Sequence, residues 1–349
     1  MTMSPLYHSL TILLLIVLIS SLTSQAGSAE SATLNHDDSS SFAPILSLGS
    51  LSHPPSSLAE YNQRIVTIYE GALKMANRSF YAVDGLERFD ELVRENAARV
   101  TDKQRTKPLL LDIGSGSGYV IQLLAQNQLL NRFGEIHGVD LVPGFTEMAQ
   151  NGTSNVSSTS IHFTVGDAHN LESLFPESYF DIITCRNALH EWRDADQVLT
   201  QLKRVLKPQG KIVFLDMIND STEDLTTLIY HTRHGSMVSV RSESDLMQLF
   251  ERNGLESEEI ERSNVELNFD EWAPLLRTVS PQHIGILSKH FIMEIYGAPQ
   301  MQMTGFFPFY KKSTNPLTGE EWDQLHIKQD YVSFVASKDH RRVVRTEEL

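Results

Sequence analysis

The sequence contains a single cysteine among its 349 residues, Cys185. One thiol forms no intrachain disulfide, and it excludes a metal site built from several thiolates. Basic side chains are also few. The chain has 29 Lys and Arg and 44 Asp and Glu, which gives a formal net charge of −15. A nucleic-acid backbone requires a basic surface, so this charge argues against a nucleic-acid partner.

The first sixty residues lack arginine altogether, which argues against a mitochondrial presequence. An apolar run at 10–19 is too short to span a bilayer comfortably, and small residues follow it at 24–29. These features predict a signal peptide or signal anchor over 1–29 and a disordered, polar linker over 30–55. An uncleaved anchor would associate the chain with a membrane.

The last four residues, Thr346-Glu347-Glu348-Leu349, resemble a degenerate form of the K-D-E-L retrieval tail. On its own this segment is an ordinary acidic end. Together with the signal-like N terminus it favours the secretory pathway, and within that pathway the lumen of the endoplasmic reticulum. A membrane-anchored or a cytoplasmic location is the alternative.

Residues 109–120 read LLLDIGSGSGYV, which predicts an apolar strand, a glycine-spaced turn and the start of a helix. Glycine is required where a backbone passes close to a ligand, and a helix start presents its N–H groups to that ligand. The glycines stand at 114, 116 and 118, so Tyr119 occupies the position where a dinucleotide fingerprint needs its third glycine. The turn therefore predicts a nucleotide site and disfavours an NAD-dependent oxidoreductase.

Further segments follow in the order that a doubly wound α/β sheet requires. Two predicted strands end in Asp140 and Asp167, and a carboxylate at the end of the second strand can accept both ribose hydroxyls of an adenosine. A fourth predicted strand, 180–186, leads into the crevice at the carboxyl edge of the sheet, where ligands bind. The series ends with a predicted helix, whose apolar residues recur over 198–206, and a fifth strand over 211–216. The segment KPQG between them is expected to end the helix.

These segments in this order resemble the class I S-adenosylmethionine (SAM) methyltransferases, in the small-molecule branch related to the ubiquinone and menaquinone methyltransferases. The resemblance implies an α/β, Rossmann-like, doubly wound fold with a mostly parallel seven-stranded sheet. Helical periodicity predicts an N-terminal helical cover over 56–106, ahead of a SAM-binding core over 107–262. An insertion over 263–326 is expected to cover the substrate, before the last strand and the acidic tail over 327–349.

The resemblance also implies SAM as the cofactor. Asp140 would hold the ribose, Asp167 would accept from the adenine amine, and the backbone of Ala168 would face the ring edge. The implied cofactor-binding residues are Asp112, Gly114, Ser115, Gly116, Gly118, Asp140, Leu141, Asp167, Ala168, Arg186 and Asn187. Arg186 and Asn187 match the Arg-Asn pair of the quinone enzymes. The next residues, 188–192, differ from the quinone-enzyme signature and resemble those of the other small-molecule methyltransferases.

SAM carries its own sulfonium leaving group, so a base is needed only for a weakly acidic hydroxyl or a carbon acid. His190 is the best candidate for this base because it follows the fourth strand at the crevice; the alternative is that it packs beside Trp192 and only shapes the site. Glu191 is a second candidate, with a solvated helix residue as its alternative. His231 and His234 lack a third ligand of suitable spacing, so no metal site is expected.

These observations predict SAM-dependent methylation of a small-molecule acceptor at oxygen, nitrogen or carbon. A second hypothesis is a catalytically inactive SAM-fold protein that binds or assembles partners in the secretory pathway. The acidic residues at 112, 140 and 167 favour the enzyme, because an inactive site has no reason to keep them. The sequence leaves the acceptor and the oligomeric state open.

Overall fold

A computed structural model describes residues 57–73, 86–101, 107–155, 160–220, 240–269, 306–314 and 318–338. The predicted signal segment, the linker and the retrieval-like tail lie outside these ranges, as do His231, His234 and most of the predicted insertion. No helix in the described part of the chain is long and apolar enough to cross a membrane. Location, membrane association and the covering role of the insertion stay predictions.

Six α-helices lie in the described ranges: α1 (Leu58–Leu73), α2 (Glu87–Thr101), α3 (Tyr119–Gln126), α4 (Pro143–Thr153), α5 (Ala195–Val205) and α6 (Glu243–Arg252). α5 shows how the sequence forms such an element. Asp194 caps its first turn by accepting from the N–H of Gln197, and its apolar residues recur three or four positions apart on the buried face.

The described strands form one mixed sheet: β1 (Leu109–Ile113), β2 (Glu135–Asp140), β3 (Ser160–Val165), β4 (Phe180–Arg186), β5 (Leu206–Met217), β6 (Leu255–Asn268), β7 (Phe306–Thr314) and β8 (Glu321–Lys338). Their order is β3-β2-β1-β4-β5-β8-β6, and β7 pairs with β8 beside that path. The pairs among β1 to β5 are parallel, whereas β8 pairs antiparallel with its three neighbours. This confirms the Rossmann-like, mostly parallel fold and adds an eighth strand, β7, to the seven expected.

Buried side chains cover both faces of the sheet, because alternate residues of a strand point to opposite faces. Leu110 packs with residues of α2 and α3 on one face, whereas Leu111 packs with residues of α5 and α6 on the other. Burial on both faces explains why β1, β4 and the second half of β5 read as nearly continuous apolar runs. The parallel pairing also brings the carboxyl ends of β1 to β5 to one edge of the sheet.

The C-terminal strands extend beyond the predicted ones. β6 continues to Asn268 and β8 begins at Glu321, so both enter the range that the sequence assigns to the insertion. β8 pairs with β5 only over 331–336, and its first half pairs with β7 instead. Hydrophobic alternation identified only the inner half of β8, because the outer half begins with exposed polar residues.

Candidate functional site

The glycine turn joins β1 to α3 and takes the left-handed backbone that glycine favours. φ is +65° at Gly114, +52° at Gly116 and +82° at Gly118. The N–H of Gly114 donates to the carbonyl of Val139 at 2.8 Å, which ties the turn to β2. A Cβ on Gly114 would lie 2.5 Å from that of Ala188, whereas a Cβ on Gly116 would meet no described protein atom within 4 Å. Gly116 therefore borders open space.

Asp140 ends β2, and backbone N–H groups hold its carboxylate. Oδ2 accepts from Gly116 at 2.8 Å and Oδ1 accepts from Val142 at 2.9 Å. Burial raises the pKa of Asp140, and the backbone hydrogen bonds oppose that rise. A carboxylate has about four acceptor positions, so this side chain retains capacity for a ribose hydroxyl. Leu141 follows it and is half-buried.

Asp112 lies in β1, two residues before the turn, and is fully buried. The hydroxyl of Thr184 on β4 donates to its Oδ1 at 2.7 Å. Burial raises the pKa of Asp112 to about 7; the hydrogen bond from Thr184 opposes this rise and the nearby charge of Asp140 adds to it. A cationic ligand at this position would favour the charged carboxylate.

Asp112→Asn is expected to stabilise the ligand-free protein. Asp112 has an ordinary pKa of 3.8 in the unfolded chain and a pKa of about 7 in the folded protein, so the folded state binds the proton more tightly. The free energy of unfolding therefore falls as the pH rises from 3.8 to about 7. Asparagine has no charge to bury and still accepts from Thr184. The free energy of unfolding should therefore rise by up to about 4 kcal/mol near pH 8 and by less than half of that near pH 5.

Denaturant unfolding at the two pH values measures this effect, and Asp181→Asn is the matched control. Asp181 is equally buried, but its Oδ2 accepts from Lys207 Nζ at 2.7 Å and from the N–H of Leu109 at 2.8 Å. Removing a paired buried charge is destabilising. Destabilisation by both substitutions near pH 8 would contradict the prediction for Asp112.

Asp167 follows β3 and caps the short 3₁₀ helix Ala168–Ser173. Its Oδ1 accepts from the backbone N–H of His169 at 2.9 Å and lies 2.6 Å from Nδ1 of that residue, while Oδ2 accepts from the amide of Asn62 at 2.7 Å. Burial alone would raise the pKa of Asp167, but the hydrogen bonds from His169 and Asn62 hold it below its ordinary value. Asn62 belongs to α1, so this helix lies against the adenine site predicted from the sequence.

Helix α1 also contacts the loop after β4. Tyr61 donates its hydroxyl to the carbonyl of Glu191 at 2.7 Å, and Tyr69 donates to Oε1 of the same residue at 2.8 Å. Glu70 accepts from the N–H of Gly144 at 2.9 Å, at the start of α4. α1 therefore bridges the loops that follow β2, β3 and β4, across the edge where the predicted cofactor residues lie.

Arg186 ends β4, and its guanidinium lies over the ring of Tyr119, with Cζ 4.2 Å from the ring centre. Tyr119 donates its hydroxyl to Oδ2 of Asp90 in α2 at 2.9 Å. Asn187 adopts a left-handed backbone with φ of +53°, which is uncommon for a residue other than glycine. These contacts place Arg186 beside the glycine turn.

His190 lies in the one-turn 3₁₀ helix Leu189–Glu191, directly after β4. Its Nδ1 is 2.5 Å from Oδ1 of Asp216 on β5, and its backbone N–H donates to Oδ2 of that carboxylate at 3.1 Å. A carboxylate accepts hydrogen bonds, so Nδ1 donates to Asp216, and in the neutral imidazole Nε2 is then the nitrogen that can accept a proton. The two side chains are 4% and 2% exposed, which shields the pair from water.

Glu191 lies on the Nε2 side of His190. Its Oε1, which accepts from Tyr69, is 3.7 Å from Nε2 of His190. The Glu191 side chain is only 12% exposed, so the solvated alternative is wrong. The imidazole therefore stands between two carboxylates, with Asp216 fixing its orientation and Glu191 near the nitrogen that can take a proton.

The residues at this edge fit an adenosyl cofactor. The Ser115 hydroxyl and Oδ1 of Asn187 are buried without a hydrogen-bond partner in the described ranges, and such groups normally have one. Acidic side chains stand near the carboxyl ends of β1, β2 and β3, and a helix begins at the glycine turn. The turn would hold the nucleotide and the carboxylates would accept from its hydroxyl and amine groups.

Sequence reasoning missed Asp216 and the tyrosines of α1. Asp216 stands at the end of an apolar strand, which is the same signal that singled out Asp140. The tyrosines were identified only as helical periodicity, because their contacts with Glu191 join residues 130 and 122 positions apart. No local pattern reports such a contact.

Comparison with known proteins agrees with this geometry. Residues 111–214 match a family model described as a methyltransferase domain. An uncharacterized methyltransferase of Bacillus subtilis, YcgJ, is 30% identical over 49% of this chain and 66% of its own length. The demethylmenaquinone methyltransferase of Thermotoga maritima is 33% identical over 35% of this chain and 48% of its own length.

A third relative, the mitochondrial arginine-hydroxylase NDUFAF5 of Rattus norvegicus, is 28% identical over 62% of this chain and 63% of its own length. The chain thus spans less than two thirds of each of these relatives. The crystal structure of YcgJ superposes with a TM-score of 0.54 at 22% identity, over 70% of this chain and 98% of that one, which supports the fold. These matches support a class I SAM-dependent methyltransferase domain at residues 111–214, similar to the quinone methyltransferases and with SAM as its cofactor.

Proposed function

We propose that this protein transfers the methyl group of SAM to the hydroxyl oxygen of a small-molecule acceptor, with His190 as the general base. The buried pair of His190 and Asp216 carries the proposal. Amines and thiolates accept a methyl group without a base, whereas a weakly acidic hydroxyl must lose its proton during transfer. A carboxylate that orients a buried imidazole is an arrangement suited to that task.

Different side chains of the protein would have different roles in the reaction. When bound, SAM supplies a methyl group on a positively charged sulfur leaving group. Nε2 of His190 takes the proton of the acceptor hydroxyl, and Asp216 stabilises the imidazolium through Nδ1. Glu191, held by Tyr69, adds negative charge near Nε2. Helix α1 contacts the loops after β2, β3 and β4, and it would limit the access of water to the bound reactants.

Product analysis tests the proposal. Purified protein is incubated with SAM and matched panels of phenols, hydroxy acids, amines and thiols, and products are identified by mass spectrometry. We expect methyl ethers from the hydroxyl panel, whereas methyl esters alone would mean that the acceptor is a carboxylate that needs no base. Methylated amines alone would overturn the choice of acceptor, and SAM binding without any product would favour the inactive binding or assembly protein.

A protein acceptor is the second candidate, because the match to the NDUFAF5 relative covers 62% of this chain. That protein is named for hydroxylation of arginine, which adds an oxygen atom rather than a methylene unit to the acceptor. Arginine-containing peptides therefore belong in the same assay. The mass gained by the product distinguishes hydroxylation from methylation.

Gly116→Ala is expected to weaken SAM binding by at least about tenfold. The new Cβ would enter the open space beside the turn, and the left-handed φ of +52° adds backbone strain. Gly319→Ala is the matched control, because Gly319 has a φ of +72° and its Cβ would also meet no described atom within 4 Å. Calorimetric titration with SAM should show the loss only at Gly116. An equal change in affinity at both positions would contradict a role in cofactor binding.

A further inference from the structure

A cluster of two histidines and a glutamate lies at the edge of the sheet formed by β2 and β3. Glu135 and His137 are two residues apart on β2, so they point to the same face. His162 pairs with His137 in the parallel register of β3 and shares that face. Glu135 is the first residue of its strand, whereas Asp140 of the cofactor site is the last. The cluster is therefore separate from the methyl-transfer site.

One ligand atom from each of the three side chains lies within 4.8 Å of the other two. Oε2 of Glu135 and Nε2 of His137 are 3.0 Å apart, and the two imidazole rings stack with centroids 5.0 Å apart. Ligands of a tetrahedral zinc ion stand roughly 3.3 Å from one another at the usual bond lengths. His162 is exposed, and its Nε2 lies 2.8 Å from Oγ of Ser160, so binding an ion through that nitrogen would exchange this contact for the metal.

Neighbouring side chains orient two of the three groups, Glu135 and His137. Tyr179 donates its hydroxyl to Oε2 of Glu135 at 3.1 Å. The ring of His137 packs edge-on against Phe175 and Phe180, with centroid distances of 5.2 and 5.6 Å. Restraint of this kind by surrounding residues is characteristic of metal-ligating side chains. The glutamate and one of the histidines are therefore held before any ion arrives.

We propose that Glu135, His137 and His162 bind a divalent transition-metal ion such as Zn²⁺, with water completing the coordination. Two imidazoles and one carboxylate are a ligand set that Zn²⁺ accepts. β3 lies at the end of the sheet and pairs only with β2 among the described strands. The ion would join these two strands through side chains and stabilise the edge.

Sequence reasoning expected no metal site because it looked for ligands at short spacing. His162 is far from Glu135 and His137 along the chain, and only the register of two parallel strands brings it to them. Such a register is decided by the packing of the whole sheet. The ligand set therefore became visible only in the folded protein.

Equilibrium dialysis of the full, untagged chain against Zn²⁺, with a colorimetric chelator as competitor, tests the proposal. We expect His162→Gln and Glu135→Gln each to lose one Zn²⁺ equivalent, or to bind it at least about tenfold more weakly. His326→Gln is the matched control. Nδ1 of His326 also lies 3.0 Å from a glutamate oxygen, that of Glu266, but the other side chain at this carboxylate is Lys311 and not a second histidine.

Co²⁺ gives a second measurement, since its visible absorption is strong in four-coordinate sites. The wild-type protein should show this band, and His162→Gln should not. His162 is exposed, so its replacement should leave the circular dichroism spectrum of the metal-free protein unchanged. Equal Zn²⁺ stoichiometry and affinity in wild type and His162→Gln would overturn the proposal, as would equal losses in His326→Gln. Neither measurement depends on methyl transfer.

Discussion

His190→Ala is expected to lower kcat by about 10²-fold or more with a hydroxyl acceptor, while the affinity for SAM stays near that of the wild type. The loss should shrink at high pH, where the acceptor ionises without a base. Asp216→Asn should also lower kcat, because asparagine accepts the Nδ1 hydrogen bond but carries no charge to stabilise the imidazolium. Steady-state rates across a pH series measure both effects.

The pair of His169 and Asp167 serves as the control for the pair of His190 and Asp216. Nδ1 of His169 lies 2.6 Å from Oδ1 of Asp167, which is a similar arrangement. His169 touches a residue predicted to bind the adenine, so His169→Ala should raise the KM for SAM more than it lowers kcat. A loss at His190 that does not vary with pH would assign this residue to positioning of the acceptor. Full activity of His190→Ala would exclude both roles.

Asp140→Ala is expected to weaken SAM binding by about 1.5–3 kcal/mol, which is roughly a 10- to 150-fold loss. The substitution removes a charged acceptor for the ribose and leaves the N–H groups of Gly116 and Val142 without their carboxylate. S-adenosylhomocysteine has the same ribose, so its affinity should fall by a similar factor. Calorimetric titration of both ligands measures this.

Asp140→Asn separates ribose recognition from support of the glycine turn. Asparagine keeps one side-chain oxygen for a backbone N–H but lacks the charge that strengthens the bond to a ribose hydroxyl. We expect an intermediate loss of affinity with a smaller loss of thermal stability than in Asp140→Ala. Unchanged affinity for both ligands in Asp140→Ala would remove this residue from the ribose role.

Several predictions from the sequence depended only on local chemistry. The left-handed turn at Gly114 and Gly116 needs glycine, so its position could be recognised from spacing alone. The central strands β1, β4 and β5 were recognisable because burial on both faces makes them nearly continuously apolar. The inner half of β8 was found for a related reason, whereas its outer half begins with three exposed residues and β7 contains Pro308, a residue that argues against a strand.

The sequence alone therefore determined the fold class and the cofactor, because the strands and the glycine turn follow from short-range rules of backbone geometry and burial; the strand ends that would hold the cofactor stay a prediction. Only the tertiary structure decided which groups meet. Asp216 orients His190 because β5 lies beside β4, and Tyr69 reaches Glu191 because α1 crosses the strand ends. His162 joins Glu135 and His137 through the register of neighbouring strands. Contacts between residues far apart in the chain depend on how all the elements pack, and no local segment encodes that packing.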